Sequence, residues 1–260
     1  TTFPDMCDTY ILGVIGTIIV IDPAKVIQGR LDQVAQIIIN IYTTSESMHI
    51  IKITGNIIRD LIYLYPSYFF ENSALSEGEP EKSLANYLLE FTLRCFNSIL
   101  FIPFQVWIFG VVGDIVKNID DSDFIYANEI ISGLNNLKYM LVPKTDIESN
   151  NAKIRSMLYV SEILISKFNN YNIEFYKKNK GIIFSAALVV ANGQNQDLNS
   201  ITRFLEFIDR VLSLPTQFFS VFSIYINRSE IISSLRNFEQ IPNFTKQCKN
   251  MLVKIKRRTV

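Results

Sequence analysis

The chain has few of the residues that catalytic and metal centres use most. Its 260 residues include one histidine, His49, and three cysteines, Cys7, Cys95 and Cys248. A Ser/His/Asp or Cys/His arrangement would have to use His49, which stands between Met48 and Ile50. The cysteines and the histidine would supply four zinc ligands only by bringing distant segments together. The sequence therefore predicts no enzyme, no catalytic residue, no metal and no cofactor.

Glycine-rich loops, net charge and membrane-length apolar runs are also missing. Gly13 and Gly16 lie in an apolar helical pattern, without the lysine of a phosphate-binding loop. The 25 basic and 25 acidic residues cancel, so no global field attracts nucleic acid or anionic lipid. The apolar run 11–21 is shorter than the ~20 residues of a membrane span. We expect no membrane insertion and no small-molecule substrate.

The cysteine content also bears on the cellular compartment. Three cysteines that lie far apart are a poor basis for a disulfide framework in a chain of this size. The sequence therefore favours a reducing environment, and we expect the protein in the cytoplasm, the nucleus or both.

The chain is rich in amphipathic helical patterns. About a dozen stretches carry Ile, Leu, Val and Phe at helical spacing, separated by short Pro, Asn or Gly breaks. Two such helices occupy near 43 residues, within the ~40 to 47 of HEAT and armadillo units. We expect an all-α, HEAT/armadillo-like α-solenoid of about twelve antiparallel helices, with a compact irregular helical domain as the alternative.

The sequence pattern also indicates where the domain, its helices and one long loop begin and end. Residues 1–260 are expected to form a single helical-repeat domain, and because the chain begins at Thr1 rather than at a methionine, a fragment of a longer solenoid stays open. Residues 71–81, with four glutamates, are expected to form an exposed acidic loop. The predicted helices are 9–21, 22–42, 47–65, 81–99, 104–116, 125–142, 147–168, 182–191, 198–212, two that divide near 227–230, and 242–258.

The strongest charged patch lies at the end of the chain. Lys254, Lys256, Arg257 and Arg258 close the last predicted helix, and Lys246 precedes them. Such a patch could contact RNA, an acidic protein or an anionic lipid. It could equally be a solvated helix end whose cations interact favourably with the helix dipole. Both interpretations stay open at this point.

Aromatic stripes are the second candidate for partner binding. Phe218 and Phe222 belong to one stripe, and Trp107 belongs to another. Such stripes normally fill the core between helix layers, but a slot between two helices could also accept apolar side chains of a partner.

The last hundred residues resemble the carboxyl-terminal repeats of the importin-β (karyopherin) superfamily, in particular its transportin-3 and importin-13 branch. The resemblance is carried by NIEFYKKNKGII at 172–183, FSAALVVANGQ at 184–194 and FTKQCKNMLVKIKRR at 244–258. VWIFGVVGDIVKNI at 106–119 is similar to repeat helices of importin-β itself. The resemblance implies HEAT-repeat architecture and, as function, reversible binding of cargo proteins in nuclear transport.

Three functional hypotheses follow. The first is a non-enzymatic, protein-binding helical-repeat scaffold, as part of a nuclear transport receptor. The second is a scaffold in ribosome or ribonucleoprotein assembly that touches RNA through the basic last helix. The third is a helical domain with an apolar ligand cavity.

Overall fold

A computed structural model of the protein describes residues 3–21, 30–71, 73–74, 82–97, 105–118, 127–139, 147–167, 173–193 and 197–258. These residues are helical apart from short connections and one two-residue antiparallel ladder, in which Ser73 lies opposite Ser83. The prediction of an all-α fold is confirmed. None of the described helices is long and apolar enough to cross a lipid bilayer.

The chain divides into two compact units, residues 1–120 and 121–260, where the sequence predicts one continuous repeat domain. The elements of the first unit are α1 (Phe3–Ile21), α2 (Leu31–Thr44), α3 (Met48–Leu64), α4 (Pro66–Glu71), β1 (Ser73–Ala74), β2 (Lys82–Ser83), α5 (Leu84–Asn97) and α6 (Gln105–Asn118).

Helix α3 organises the first unit. It packs against α1, α2, α4 and α6, so α1, α3 and α6 form one row of helices. These contacts leave Ile50, Ile57, Ile58 and Leu61 nearly inaccessible to solvent. Beside this row, α2 meets α5 through the side chain of Tyr42, whose hydroxyl lies 3.0 Å from Thr92 Oγ1 in the core.

The second unit contains α7 (Ala127–Tyr139), α8 (Ile147–Lys167), α9 (Ile173–Ile183), α10 (Ser185–Ala191), α11 (Leu198–Leu212), α12 (Thr216–Ile226), α13 (Ser229–Phe238) and α14 (Thr245–Arg258). Its helices pack in two rows. In the first row α8 contacts α11, and α11 contacts α14; in the second row α7 contacts α9, and α9 and α10 contact α12 and α13. Helices that follow one another in the sequence also pack across the two rows: α7 against α8, α10 against α11, α11 against α12 and α13 against α14.

Two local features differ from the sequence-based expectation. The segment after Pro66 was expected to be a loop, but it forms the short helix α4, because proline has no N–H to lose in a first turn and its fixed φ suits that position. A turn at Phe184 divides the expected helix 182–191 without a Gly or Pro at that residue: its first two residues end α9, which begins at Ile173, and the rest forms α10. Of the expected acidic loop 71–81, Glu71 ends α4 and Ser73 and Ala74 form β1; the rest lies outside the described residues.

Helix α11 has a well-defined start that also connects it to α8. The carboxylate of Asp197 accepts hydrogen bonds from the backbone N–H and the hydroxyl of Ser200, which caps the helix. Arg155 of α8 pairs with the same carboxylate. Partial burial alone would raise the pKa of Asp197, but the bonds from Ser200 and Arg155 and the charge of Arg155 outweigh it and hold the pKa below its ordinary value.

We predict that Asp197→Ala lowers the free energy of unfolding by about 0.5 to 2 kcal/mol at pH 7, the usual cost of losing an N-cap. Because the folded-state pKa is lowered, this contribution is present above the ordinary aspartate pKa of 3.8 and is lost as the pH falls through the folded-state value. Urea denaturation from pH 7 to pH 3 measures it. Asp197→Asn is the matched control, since it keeps a capping oxygen but loses the charge. A pH-independent difference between wild type and Asp197→Ala would contradict this assignment.

The contact of α3 with α6 is close at Gly55. A Cβ built on Gly55 would lie 2.5 Å from Trp107 Cη2, so the indole ring occupies the space that a side chain would need. The indole N–H also donates to Asn56 Oδ1 at 2.8 Å. Gly110, on α6, differs from Gly55 because a Cβ there meets nothing within 4 Å.

We therefore predict opposite effects for two glycine substitutions. Gly55→Ala should destabilise the protein by about 1 to 3 kcal/mol through overpacking against the indole ring. Gly110→Ala should stabilise it by up to about 1 kcal/mol, because alanine is the better helix former. Trp107 is the only tryptophan, so its emission reports the displacement directly. A Gly55→Ala variant with unchanged emission and stability would refute the close contact.

Candidate binding cleft on the last helix

Helix α14 is held by one apolar side. Cys248, Met251 and Ile255 recur at helical spacing and are buried where α14 packs on α11 and α13. Burial raises the pKa of the Cys248 thiol to about 11, so it stays protonated at neutral pH and acts as a packing group. This anchoring fixes which residues of α14 face outward.

An open cleft of about 610 Å³ runs along the outward side of α14. Its volume is in the range of ~300 to 1,000 Å³ that ligand sites occupy. Most lining residues are polar or charged and the cleft is open, unlike the closed apolar cavity of the third hypothesis. It consists of Asp209, Asn243, Lys246, Gln247, Asn250, Val253, Lys254 and Arg257.

The cations of this helix are only partly neutralised. Lys254 Nζ lies 2.7 Å from Asp209 Oδ1, which joins α14 to α11 across the cleft. Lys249 stands 3.9 Å from a carboxylate oxygen of Glu239. Among the residues that the structure describes, no carboxylate pairs with Lys246, Lys256 or Arg257. The cleft and its rim therefore carry an excess of positive charge.

Lys246 does not stabilise the helix on which it lies. It lies in the first turn of α14, where the partial positive charge of the helix dipole repels a cation. The cations of the last turn, Lys256, Arg257 and Arg258, have the favourable arrangement. Helix stability therefore accounts for the basic carboxyl end of α14 but not for the lysine at its start.

Arg258 has a structural role, which the sequence did not distinguish from its neighbours. Its Nη1 donates to the carbonyl of Leu214 at 2.7 Å. Its guanidinium lies over the ring of Phe219, 4.9 Å from the centroid, in a cation–π contact. Arg258 thus fastens the end of α14 to the connection between α11 and α12, whereas Lys256 and Arg257 are free to meet a ligand.

The aromatic candidates do not line this cleft. Phe218 is 5% exposed and Phe222 is fully buried. Both rings make edge contacts with the buried ring of Tyr176, with centroids 5.8 Å away. Because helix α12 turns this stripe toward α9, the two rings fill the core and do not form a slot for a partner. Trp107 is partly exposed in the other unit, where it packs on Gly55 and bonds to Asn56.

The sequence analysis identified the basic residues of the cleft but not its other lining residues. Asn243, Gln247, Asn250 and Val253 lie on the same side of α14 as Lys246 and Arg257, so helical spacing could have found them. Asp209 could not be found in this way, because it is 45 residues from Lys254 and meets it only through the packing of α11 on α14.

The remaining chemical groups of the described residues do not assemble into a second site. No group of three or more His, Cys, Asp or Glu side chains is placed to hold a metal ion within the described ranges. His49 is exposed at the start of α3. Comparison of the chain with protein-family models, curated proteins and solved structures finds no match.

Proposed function

We propose that the protein is a non-enzymatic, protein-binding scaffold of stacked helical pairs, and that the cleft along α14 receives an acidic segment of a partner protein. The observation that carries the proposal is the open, positively charged cleft, whose cations at Lys246 and Arg257 have no carboxylate partner among the described residues. An acidic segment would supply the missing counter-charges.

The row packing supports a repeat architecture. In the second unit the pairs are α7 with α8, α9 and α10 with α11, and α12 and α13 with α14. The first helices of these pairs begin at Ala127, Ile173 and Thr216, about 45 residues apart, which fits a HEAT-type unit. Contacts between like helices of successive pairs, such as α8 with α11 and α11 with α14, support a stacked arrangement of this kind.

The composition of the cleft favours a peptide as the anion. The side-chain amides of Asn243, Gln247 and Asn250 can pair with the N–H and C=O groups of an extended backbone. Val253, which is 49% exposed, offers a contact for an apolar side chain beside the charges. Single-stranded RNA is the second candidate, but binding of bases usually relies on exposed aromatic rings, and no aromatic residue belongs to the lining.

The cellular role rests on the sequence alone. The resemblance of residues 172–194 and 244–258 to karyopherin repeats supports a role as part of a nuclear transport receptor, with cargo or assembly proteins as partners. The same resemblance and the scattered cysteines support a location in the cytoplasm or the nucleus.

Charge reversal at the cleft tests the proposal. We predict that Lys246→Glu with Arg257→Glu weakens binding of a fluorescein-labelled peptide rich in Asp, Glu and Leu at least tenfold, measured by anisotropy at 50 mM salt. The reason is that two attractive contacts become repulsive. The matched control is Lys138→Glu with Lys178→Glu, two exposed lysines of the same unit outside the cleft, which makes the same change in net charge.

These double variants, together with a Lys256→Ala, Arg257→Ala variant, separate the two candidate partners. Equal loss in both double variants, or no binding of the peptide by the wild type, would refute the peptide cleft. Binding of labelled single-stranded RNA that falls in the Lys256→Ala, Arg257→Ala variant, with a salt slope reduced by about 0.7 per lost phosphate contact, would assign the surface to RNA. Arg258 is left intact in these variants because it fastens α14 to Leu214 and Phe219.

A further inference from the structure

The outward side of α1 is an apolar surface that none of the described helices or strands covers. Its exposed large side chains are Tyr10 at 71%, Ile11 at 58%, Val14 at 57%, Ile18 at 41%, Val20 at 57% and Ile21 at 76%. The opposite side of the same helix, with Leu12 and Ile19 buried, packs on α3. No charged residue occurs between Asp8 and Asp22. We call the six exposed side chains the α1 face.

The size of the α1 face is unusual for a surface that stays in water. At the exposures given above, the six side chains offer roughly 600 to 700 Å² of apolar area, at or above the ~300 to 600 Å² of the largest patch on a typical monomer. A standard protein interface takes about 800 Å² from each partner. Val20 lies about half a turn around the helix from Ile11, so one pairing covers the other five side chains, which still offer a large part of the area of a standard interface.

We propose that the α1 face is the interface of a homodimer in which two copies of α1 pack antiparallel. The central stripe of the face is Ile11, Val14, Ile18 and Ile21, with spacings of three, four and three residues. This order of spacings reads the same in both directions. A stripe of that kind is self-complementary about a two-fold axis, which is what an isologous interface requires.

The register follows from the spacing. With the axis between Val14 and Ile18, Val14 packs on the partner subunit's Ile18, and Ile11 packs on the partner subunit's Ile21. The hydroxyl of Thr17, which flanks this stripe, already donates to the Gly13 carbonyl at 2.8 Å and therefore needs no partner across the interface.

The composition of α1 favours a second copy over a lipid surface. Helices that lie in a membrane interface carry Lys or Arg along a polar side to meet anionic headgroups. The segment 10–21 carries no Lys or Arg. A second α1 instead offers an apolar stripe of equal length and introduces no buried charge. The proposal is independent of the cleft on α14, because the residues that carry it lie on another helix in the other unit.

Sedimentation velocity of the full chain tests the dimer. We expect the wild type to shift with concentration from 29.9 kDa toward twice that mass. Val14→Glu and, separately, Ile18→Glu should weaken association at least tenfold, because each places two carboxylates near the axis. Both positions are exposed, so circular dichroism should show an unchanged fold. Ile224→Glu, at a 62% exposed isoleucine of α12, is the matched control and should leave the dimer intact.

Other outcomes of the same experiment overturn the proposal. They are a monomer at every concentration, or a dimer that survives both α1 variants. A wild-type monomer that floats with neutral phospholipid vesicles, and loses this binding in Ile18→Glu, would assign the α1 face to lipid.

Disulfide trapping tests the antiparallel register. In a Cys7→Ser background, a mixture of Val14→Cys and Ile18→Cys chains should form a cross-linked heterodimer on mild oxidation. Ile11→Cys chains alone should not cross-link, since antiparallel packing places the two Ile11 positions at opposite ends of the stripe, about 15 Å apart at 1.5 Å per residue. Efficient cross-linking of Ile11→Cys to itself would show a parallel pair and refute the register.

Discussion

The fold depends on burying individual helices on more than one side. α3 and α11 show this best, because each contacts four other helices of its own unit. A helix so placed needs apolar residues around most of its circumference, and α3 indeed buries eight of its residues, from Ile50 to Ile62. Such helices gain their free energy from neighbours in sequence and from helices one pair away.

Several buried polar groups in these rows bond within their own helix or to a helix packed against it. Thr92 donates to the Leu88 carbonyl one turn back and also meets the Tyr42 hydroxyl of α2. Ser234 of α13 donates to the Ala191 carbonyl at the end of α10. Each bond satisfies a group that would otherwise cost about 1 to 3 kcal/mol in the core. The bonds between helices also fix the register in which two apolar surfaces meet, which hydrophobic packing alone leaves loosely specified.

The sequence predicted most of the helices well but not which helices pack against one another. The predicted helix 198–212 agrees with α11, because Asp197 caps its start and Pro215 follows its end. The break at Phe184 has no local signal. The helix that begins at Pro66 was not predicted, because proline can either end one helix or begin the next. Which side of a helix is covered depends on distant segments. Local pattern therefore could not decide between core packing and partner binding for Phe218 and Phe222, or predict that Ile11, Val14 and Ile18 are exposed.

The two uncovered helix faces have opposite chemistry, and this separates their physical behaviour. Attraction between the cations of α14 and an acidic partner acts across water, where salt at 0.15 M screens charges beyond about 8 Å. Pairing of the α1 face removes apolar area from water and involves no charge, so salts that are excluded from protein surfaces strengthen it. Ionic strength should therefore release the partner while it leaves the dimer in place. A dimer would also present two basic clefts, so that a partner with two acidic segments binds more tightly than one cleft allows, without any new contact.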